Sequence, residues 1–351
     1  MITSFTIDRY RSIKHLELTG LRNINLLVGA NNSGKSSVLE AVGLAVSNNK
    51  STLISDILES RQFQFNEVDL ELFFYFLDAS EPIVLTSTLN GKVNATVRKY
   101  MKMTDEASYR KKRSPHLFED DPEPVLSKEV QLLLMSDNEG EDTFKDVLIF
   151  SSDRRRFYRP KPKDHPANCL FVTNFSAPPL YDLVSQSLEN NLEQELIKPL
   201  QAVDSRIKDI VPAYKDVLVN IGVRRRLTIN VMGDGIKRIA TITACLINSN
   251  DQGILLVDEI DTGLHYTSLT HLWKAVLATL KERPDLQLFA TTHSDECVRA
   301  LYEVLKEEHS DDLENAPATL IRLERGEDQH YATNYTPDVM YHTLLRHYEY
   351  R

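Results

Sequence analysis

Three separated segments of the chain carry residue types that together could bind phosphate groups and cleave the bond between two of them. The first, residues 29–36, has the spacing Gly-x-x-x-x-Gly-Lys-Ser, in which glycines let backbone N–H groups turn toward an anion. Lys35 would add a positive charge beside the phosphate oxygens, and Ser36 would offer its hydroxyl to Mg²⁺. The pattern predicts a phosphate-binding loop made of Gly29, Asn31, Asn32, Ser33, Gly34, Lys35, Ser36 and Ser37.

The second segment is an apolar run, residues 254–257, that ends in two carboxylates, Asp258 and Glu259. In a nucleotide site Asp258 would be the Mg²⁺ ligand, and Glu259 would polarise the attacking water. Taken alone, the segment could equally be a core strand that ends in two surface acids. The phosphate-binding pattern far upstream favours the catalytic interpretation.

The third segment, residues 291–294, follows the next apolar run and contains His293. A histidine there could form a hydrogen bond with a γ-phosphate and sense its loss, although an ordinary polar histidine is the alternative. His265, which follows Asp261-Thr262-Gly263-Leu264, would either support the site or only pack its loop.

The spacing of apolar residues predicts the elements that position these segments. Residues 2–7 and 24–28 are strand-like, a helix begins near Val38, and residues 68–103 alternate as an antiparallel lobe with a hairpin turn at Asn90-Gly91. Residues 104–167, rich in proline and charge, predict an insertion with short helices and mobile loops. Residues 188–210 predict an amphipathic helix that is broken or kinked near Pro199.

The last third of the chain alternates between strands and helices. Strands are predicted over residues 227–232, 253–257 and 287–290, with helices over 236–248 and 268–282, and a helix or two after Ser294. This order predicts an α/β fold with a parallel sheet whose ligands lie at the carboxyl ends of the strands. We expect three units, comprising residues 1–103, 104–215 and 216–351.

Composition limits the classes of protein. The chain has 351 residues, 42% of them hydrophobic and 26% charged, which indicates a globular protein. The net charge of −10 argues against a surface that is basic throughout, although residues 110–113, 154–156 (followed by Phe157 and Tyr158) and 224–226 are locally basic. Three widely spaced cysteines and the lack of a long apolar run predict a reduced cytoplasmic protein without a membrane segment.

The order of these motifs resembles the ABC-type ATPases of the RecF/SMC kind, and within them the OLD (overcoming-lysogenization-defect) group. That group includes the ATPase subunits of bacterial anti-phage systems such as Gabija, Septu and PARIS. The resemblance covers roughly residues 1–50 and 225–300, and its residues are Leu39-Glu40-Ala41 after the loop, residues 232–238, residues 258–265 and residues 289–294.

The resemblance implies an ATPase head that uses ATP and Mg²⁺ and pairs with a second head as a homodimer or higher homo-oligomer. Gly233, Asp234 and Gly235, here called the signature segment, stand where other ABC proteins carry Ser-Gly-Gly, and would close over the γ-phosphate held by the partner. Arg11 matches a basic position near the adenine and ribose, with a surface charge in a turn as the alternative. Gln62 or Gln64 would contact Mg²⁺.

Many OLD proteins carry a Toprim nuclease after the ATPase, but the residues after Ser294 have neither the length nor the acidic pattern for one. The resemblance therefore implies a separate effector, a nuclease or another toxin, controlled by this chain during phage infection. Two alternatives remain open: an ATPase of DNA repair or chromosome maintenance that binds DNA directly, and an ATP-binding scaffold with negligible turnover.

Overall fold

The computed structural model describes residues 1–47, 53–54, 57–58, 61, 70–89, 96–103, 130–137, 146–151, 169–173, 177–250, 253–327 and 329–340. Several predicted features lie outside these residues: the Asn90-Gly91 turn, the two glutamines Gln62 and Gln64, the basic clusters 110–113 and 154–156, Phe157 and Tyr158.

The described strands, in chain order, are β1 (Ile2–Tyr10), β2 (Ile13–Leu18), β3 (Ile24–Val28), β4 (Ile83–Leu89), β5 (Thr96–Met103), β6 (Val130–Asp137), β7 (Asp146–Ser151), β8 (Cys169–Val172), β9 (Asp209–Ala213), β10 (Asp216–Asn220), β11 (Leu227–Thr228), β12 (Ile254–Val257), β13 (Gln287–Thr291), β14 (Ala318–Arg325) and β15 (His330–Tyr335). The described α-helices are α1 (Lys35–Val46), α2 (Leu180–Glu189), α3 (Glu193–Val203), α4 (Asp234–Ile247), α5 (Tyr266–Glu282) and α6 (Asp295–Glu308).

A six-stranded mixed sheet positions the three chemical segments. Its strand order is β15-β14-β3-β13-β12-β8, and all neighbours are parallel except the edge strand β15. Strand β13 lies between β3 and β12, so the segments that follow these three strands meet at one edge of the sheet. This confirms the predicted α/β class and its mostly parallel sheet.

The side chains of the mixed sheet pack into two cores, one on each face. On β3, Leu26 and Val28 pack with the helices α2 to α6, whereas Leu27 packs with α1 and β1. On β12, Leu255 packs into the core formed with α2 to α6, and Leu256 packs into the core formed with α1 and β1. Successive side chains of each strand point to opposite faces of the sheet, and both faces are buried. This fixes the register of the strands and so the position at which each strand ends.

A second, antiparallel sheet has the order β2-β1-β4-β5-β6-β7, which confirms the predicted antiparallel lobe. Strands β6 and β7 lie within residues 104–167, where short helices were predicted. The strand alternation predicted over Leu70, Leu72, Phe74 and Phe76 is wrong, because residues 70–77 form two 3₁₀ turns. These turns wrap around the β1–β2 turn: the N–H of Arg11 donates to the carbonyl of Phe73, and that of Phe76 to the carbonyl of Arg11.

Two further predictions about elements are corrected. The helix predicted over residues 188–210 is broken into two helices, α2 and α3, but the break lies at Asn191, which has a left-handed conformation (φ 58°), while Pro199 lies inside α3. The predicted strand 227–232 is cut short by a 3₁₀ turn at Ile229–Val231. After Ser294 one helix is followed by the β14–β15 hairpin, because β14 completes the sheet beside β3. No helix among the described residues is long and apolar enough to cross a membrane.

Candidate active site

The phosphate-binding loop connects β3 to α1 through backbone conformations that favour glycine. Gly29 has φ 141°, and a Cβ at this position would lie 2.3 Å from the carbonyl oxygen of Leu323 on β14. Gly34, with φ 96°, precedes α1, whose first turn carries no acidic residue. The first turn of α1 therefore adds no carboxylate of its own beside the loop, and the positive end of the helix favours an anion there.

Lys35 and Ser33 lie inside this loop. The Nζ of Lys35 donates to the carbonyl oxygens of Gly29 at 2.8 Å and Ala30 at 2.9 Å. Burial lowers the pKa of Lys35, and the charges of Asp258 and Glu259 oppose that shift. The buried hydroxyl of Ser33 has no hydrogen-bond partner within the part of the chain that the structure describes. The loop therefore holds an ammonium group and an unpaired hydroxyl that phosphate oxygens could bind.

Asp258 stands directly opposite the loop. Its Oδ1 accepts from the Ser36 hydroxyl at 3.2 Å and from the Thr291 hydroxyl at 2.6 Å. The structure thus brings together the two residues predicted to hold Mg²⁺. Within the described ranges no cluster of three or more His, Cys, Asp or Glu could hold a metal. One carboxylate and one hydroxyl nevertheless fit Mg²⁺, which takes its other ligands from water and substrate phosphates.

Glu259 occupies a strained turn at the end of β12. Its φ of 49° is in the left-handed region, which costs a non-glycine residue of the order of 1–3 kcal/mol. Its N–H donates to Thr291 Oγ1 at 2.8 Å, and the Thr262 hydroxyl donates to its Oε2 at 3.2 Å. Backbone strain held by several hydrogen bonds is typical of a position where the direction of a side chain matters.

A cavity of about 550 Å³ joins the loop to the turn after β12 that contains Asp258 and Glu259, here called the acidic turn. It is lined by Gly29 and Asn31 of the loop, by Glu259, and by His293 and neighbouring residues at the start of α6. Desolvation lowers the pKa of His293, and the ammonium of Lys35 lowers it further against the opposing acids. The imidazole is therefore neutral at pH 7, so one ring nitrogen can accept a hydrogen bond and the other can donate one.

Other predicted site residues lie elsewhere. The residues that line the cavity do not include the signature segment: Gly233 has open space at its Cβ position, and Gly235 lies against the carbonyl of Gly263. His265 is exposed, with its Nδ1 3.0 Å from the Thr267 hydroxyl and its ring tilted at 43° against the ring of Tyr266. In a single copy of the chain these residues are therefore separate from the phosphate-binding loop.

Arg11 is placed against the second turn of α1. Its Nε donates to Glu40 Oε2 at 2.5 Å, and Tyr10 and Arg61 also donate to the buried Glu40 carboxylate. Burial alone would lower the pKa of Arg11, but the pairing with Glu40 and Tyr10 raises it above its ordinary value. One guanidinium nitrogen, Nη2, has no hydrogen-bond partner in the described ranges. A role at the adenine or ribose stays a prediction.

Three residues around the site were given no role by the sequence reasoning: Glu40, Thr291 and Arg238. Glu40 anchors the Arg11 turn to α1, and Thr291 bridges Asp258 and Glu259. Arg238 donates to backbone carbonyls of the acidic turn. Each of these residues lies within a motif quoted above, which is the signal that could have identified it. Its hydrogen-bond partners could not be identified in this way, because they come from distant segments of the chain.

The chain is similar to several known proteins. The chain is 26% identical over 338 residues to an "ATP/GTP phosphatase" of Helicobacter pylori, covering 88% of this chain and 89% of that protein. It is 35% identical over 91 residues to the "DNA replication and repair protein RecF" of Acinetobacter baylyi, about a quarter of each chain (26% and 24%). The fold is that of an SMC head: a solved SmcHead structure aligns at TM-score 0.50 and 12% identity, covering 95% of this chain and 97% of that one.

A family model matches residues 24–299, from the strand before the phosphate-binding loop to the first turn of α6, and so includes the loop, the signature segment, the acidic turn and His293. Because this match spans most of the chain, the chain belongs to the family described as "AAA domain, putative AbiEii toxin, Type IV TA system".

Proposed function

We propose that the chain is an ATPase that binds ATP with Mg²⁺ at the phosphate-binding loop and hydrolyses it. One arrangement carries this proposal: the Ser36 hydroxyl of the loop lies 3.2 Å from Asp258, and the next residue, Glu259, lines the same cavity as Gly29 of the loop. The name of the Helicobacter pylori relative, an ATP/GTP phosphatase aligned over 88% of this chain, supports hydrolysis.

Each residue then has a distinct task. Lys35 and the loop N–H groups bind the β- and γ-phosphates, while Ser36 and Asp258 hold Mg²⁺, which when bound offsets phosphate charge. Glu259 accepts a proton from the attacking water, and neutral His293 forms a hydrogen bond with the γ-phosphate. Thr291 keeps Asp258 and Glu259 in register, because its hydroxyl donates to one and accepts from the other.

Two heads are needed to complete the site. The signature segment lies outside the cavity, and Val231, two residues before it, exposes 64% of its surface. We propose that the signature segment of one head binds the γ-phosphate held by the other head. Loss of that phosphate on hydrolysis removes contacts with both heads, so the nucleotide state shifts the population between paired and separate heads.

At the biological level, we propose that the chain is the assembly and sensor subunit of a bacterial anti-phage defence complex and controls a separate effector. The motif order of the OLD group supports this role, and so does the toxin–antitoxin wording of the family description. Isolation of the chain together with the products of its neighbouring genes would test it. A nuclease or another toxin in the complex is expected, and a chain isolated alone in every nucleotide state would contradict it.

The pairing of heads is tested by mass. We expect the particle mass measured by light scattering to double with Mg-ATP and return with ADP. Val231→Glu should prevent the doubling, because it places a negative charge beside the partner's triphosphate. Tyr214→Glu is the matched control, since Tyr214 is fully exposed at the tip of the β9–β10 hairpin. An unchanged mass in the parent with ATP would refute the paired-head site.

Direct DNA binding is the second candidate function. Arg224 and Arg225 are exposed before the signature segment, while the neighbouring Arg226 pairs with Asp209 at 3.0 Å. The partial match to RecF, named for DNA replication and repair, points the same way. DNA affinity that rises with ATP, falls steeply with salt and is lost in an Arg224→Ala, Arg225→Ala variant would favour this function. Affinity indifferent to salt and to this variant would exclude it.

A further inference from the structure

The side chain of Arg238, on helix α4, contacts the backbone that follows strands β12 and β8. Its Nη2 donates to the backbone carbonyls of Asp258 at 2.8 Å and Glu259 at 3.0 Å, and its Nη1 donates to the carbonyl of Thr173 at 3.2 Å. These carbonyls follow β12 and β8, which are neighbouring strands. The side chain therefore holds the backbone at the strand ends, although it comes from the helix α4.

That helix begins with the signature segment. Arg238 follows Asp234 by four residues, so the two lie on the same face of α4, one turn apart. Ten of the fourteen residues of α4 are buried. A buried helix moves as a rigid body, because its packing resists local bending. Any displacement of the signature segment therefore carries Arg238 with it.

The backbone that Arg238 holds is the strained one. Glu259 keeps its left-handed φ among several supports: Thr291 accepts from its N–H, and both Arg238 and the N–H of Thr262 donate to its carbonyl. Of these partners, Arg238 is the one that comes from α4, so it can transmit a displacement of that helix to the Glu259 backbone. The Nε of Arg238 is buried without a hydrogen-bond partner among the described residues, so the guanidinium is held by its two outer nitrogens.

We propose that Arg238 is a positioning residue that couples the signature segment to Glu259 of the same subunit. The proposal rests on the paired-head ATPase function. When the signature segment binds the partner's γ-phosphate, α4 moves slightly and Arg238 carries the acidic turn into its productive position. Each head then becomes fully active only when its partner holds ATP, and the two sites hydrolyse cooperatively.

The test compares Arg238→Gln with a matched variant at the other end of α4. Arg283 also donates to three backbone carbonyls, those of Leu246, Ile247 and Ser249, at the C-terminal end of α4. Arg283→Gln therefore removes the same kind of bonds from the same helix, far from Glu259. For each variant the melting temperature, ATP affinity, kcat and steepness of the rate against ATP concentration are measured.

We expect Arg238→Gln to lower kcat by about 100-fold with little change in ATP affinity, as displacement of a catalytic group by an ångström can do. The parent rate should rise with ATP more steeply than a single-site curve, and Arg238→Gln should follow a single-site curve. Arg238→Lys, which keeps one donor group, should recover part of kcat. Arg283→Gln should lower the melting temperature but keep both kcat and steepness.

The outcomes separate this coupling from the function on which it rests. If the parent does not hydrolyse ATP, the proposed function is wrong and the coupling falls with it. If the parent hydrolyses ATP but Arg238→Gln keeps its kcat and steepness, the coupling alone is refuted. An Arg283→Gln variant that loses kcat and steepness as much as Arg238→Gln would also refute it, because both effects would then follow from a loosened helix.

Discussion

Replacing Glu259 by glutamine should slow ATP hydrolysis by about 10²–10⁴-fold, the usual contribution of a general base. The amide keeps the shape of the side chain and can still interact with the Thr262 hydroxyl, but it cannot take a proton from water. ATP binding should persist, because Lys35, Ser36 and Asp258 are unchanged. The variant should therefore accumulate as paired heads with ATP between them.

Phosphate release and particle mass, measured on the same samples, check this expectation. Glu303→Gln is the matched control, because Glu303 is an exposed acid on α6. The Glu303→Gln variant should hydrolyse ATP at the parent rate. Hydrolysis by Glu259→Gln at the parent rate would show that another group activates the water, and the role given to Glu259 would be wrong.

Replacing Glu40 by alanine should destabilise the fold by about 3–5 kcal/mol, the usual cost of breaking a buried ion pair from one side. The Glu40 side chain is 1% exposed, and Arg11 beside it is 13% exposed. Without the carboxylate, the Arg11 guanidinium keeps its positive charge in a buried place. Tyr10 and Arg61 lose the same acceptor.

Denaturant unfolding without nucleotide measures this loss. Glu307→Ala provides the control, since Glu307 forms an ion pair with Lys274 in which both side chains are exposed, 61% and 43%, and such pairs contribute little. Equal stability of the Glu40→Ala variant and the parent would mean that Arg11 finds another partner and that the network does not hold the β1–β2 turn.

The site was predictable where its chemistry lies in contiguous motifs. The glycine spacing of residues 29–36, the acids after an apolar run and the histidine after the next run each predict the end of a strand. The parallel sheet then brings those ends together, since β13 lies between β3 and β12. Asp258 and Ser36, 222 residues apart in the chain, lie 3.2 Å apart for this reason.

What could not be predicted depends on distant partners. Arg238 and Glu40 look like surface charges on helices until the strand ends and the β1–β2 turn are placed beside them. Residues 70–77 alternate like a strand, yet their backbone hydrogen bonds are divided between the 3₁₀ turns themselves and the backbone of Arg11, and Tyr10 with Phe74 forms the single bridge described for them. The β14–β15 hairpin was missed because its role is to extend the sheet next to β3.

Isothermal titration calorimetry with Mg-ATP tests most directly whether residues 29–37 bind a triphosphate. The account predicts saturable heat for the parent and for Lys274→Ala, an exposed lysine on α5. It predicts about 100-fold weaker binding for Lys35→Ala, the order expected for losing charge-assisted hydrogen bonds. Parent protein that gives no saturable heat, or a Lys35→Ala variant that binds as tightly as the parent, would contradict the account.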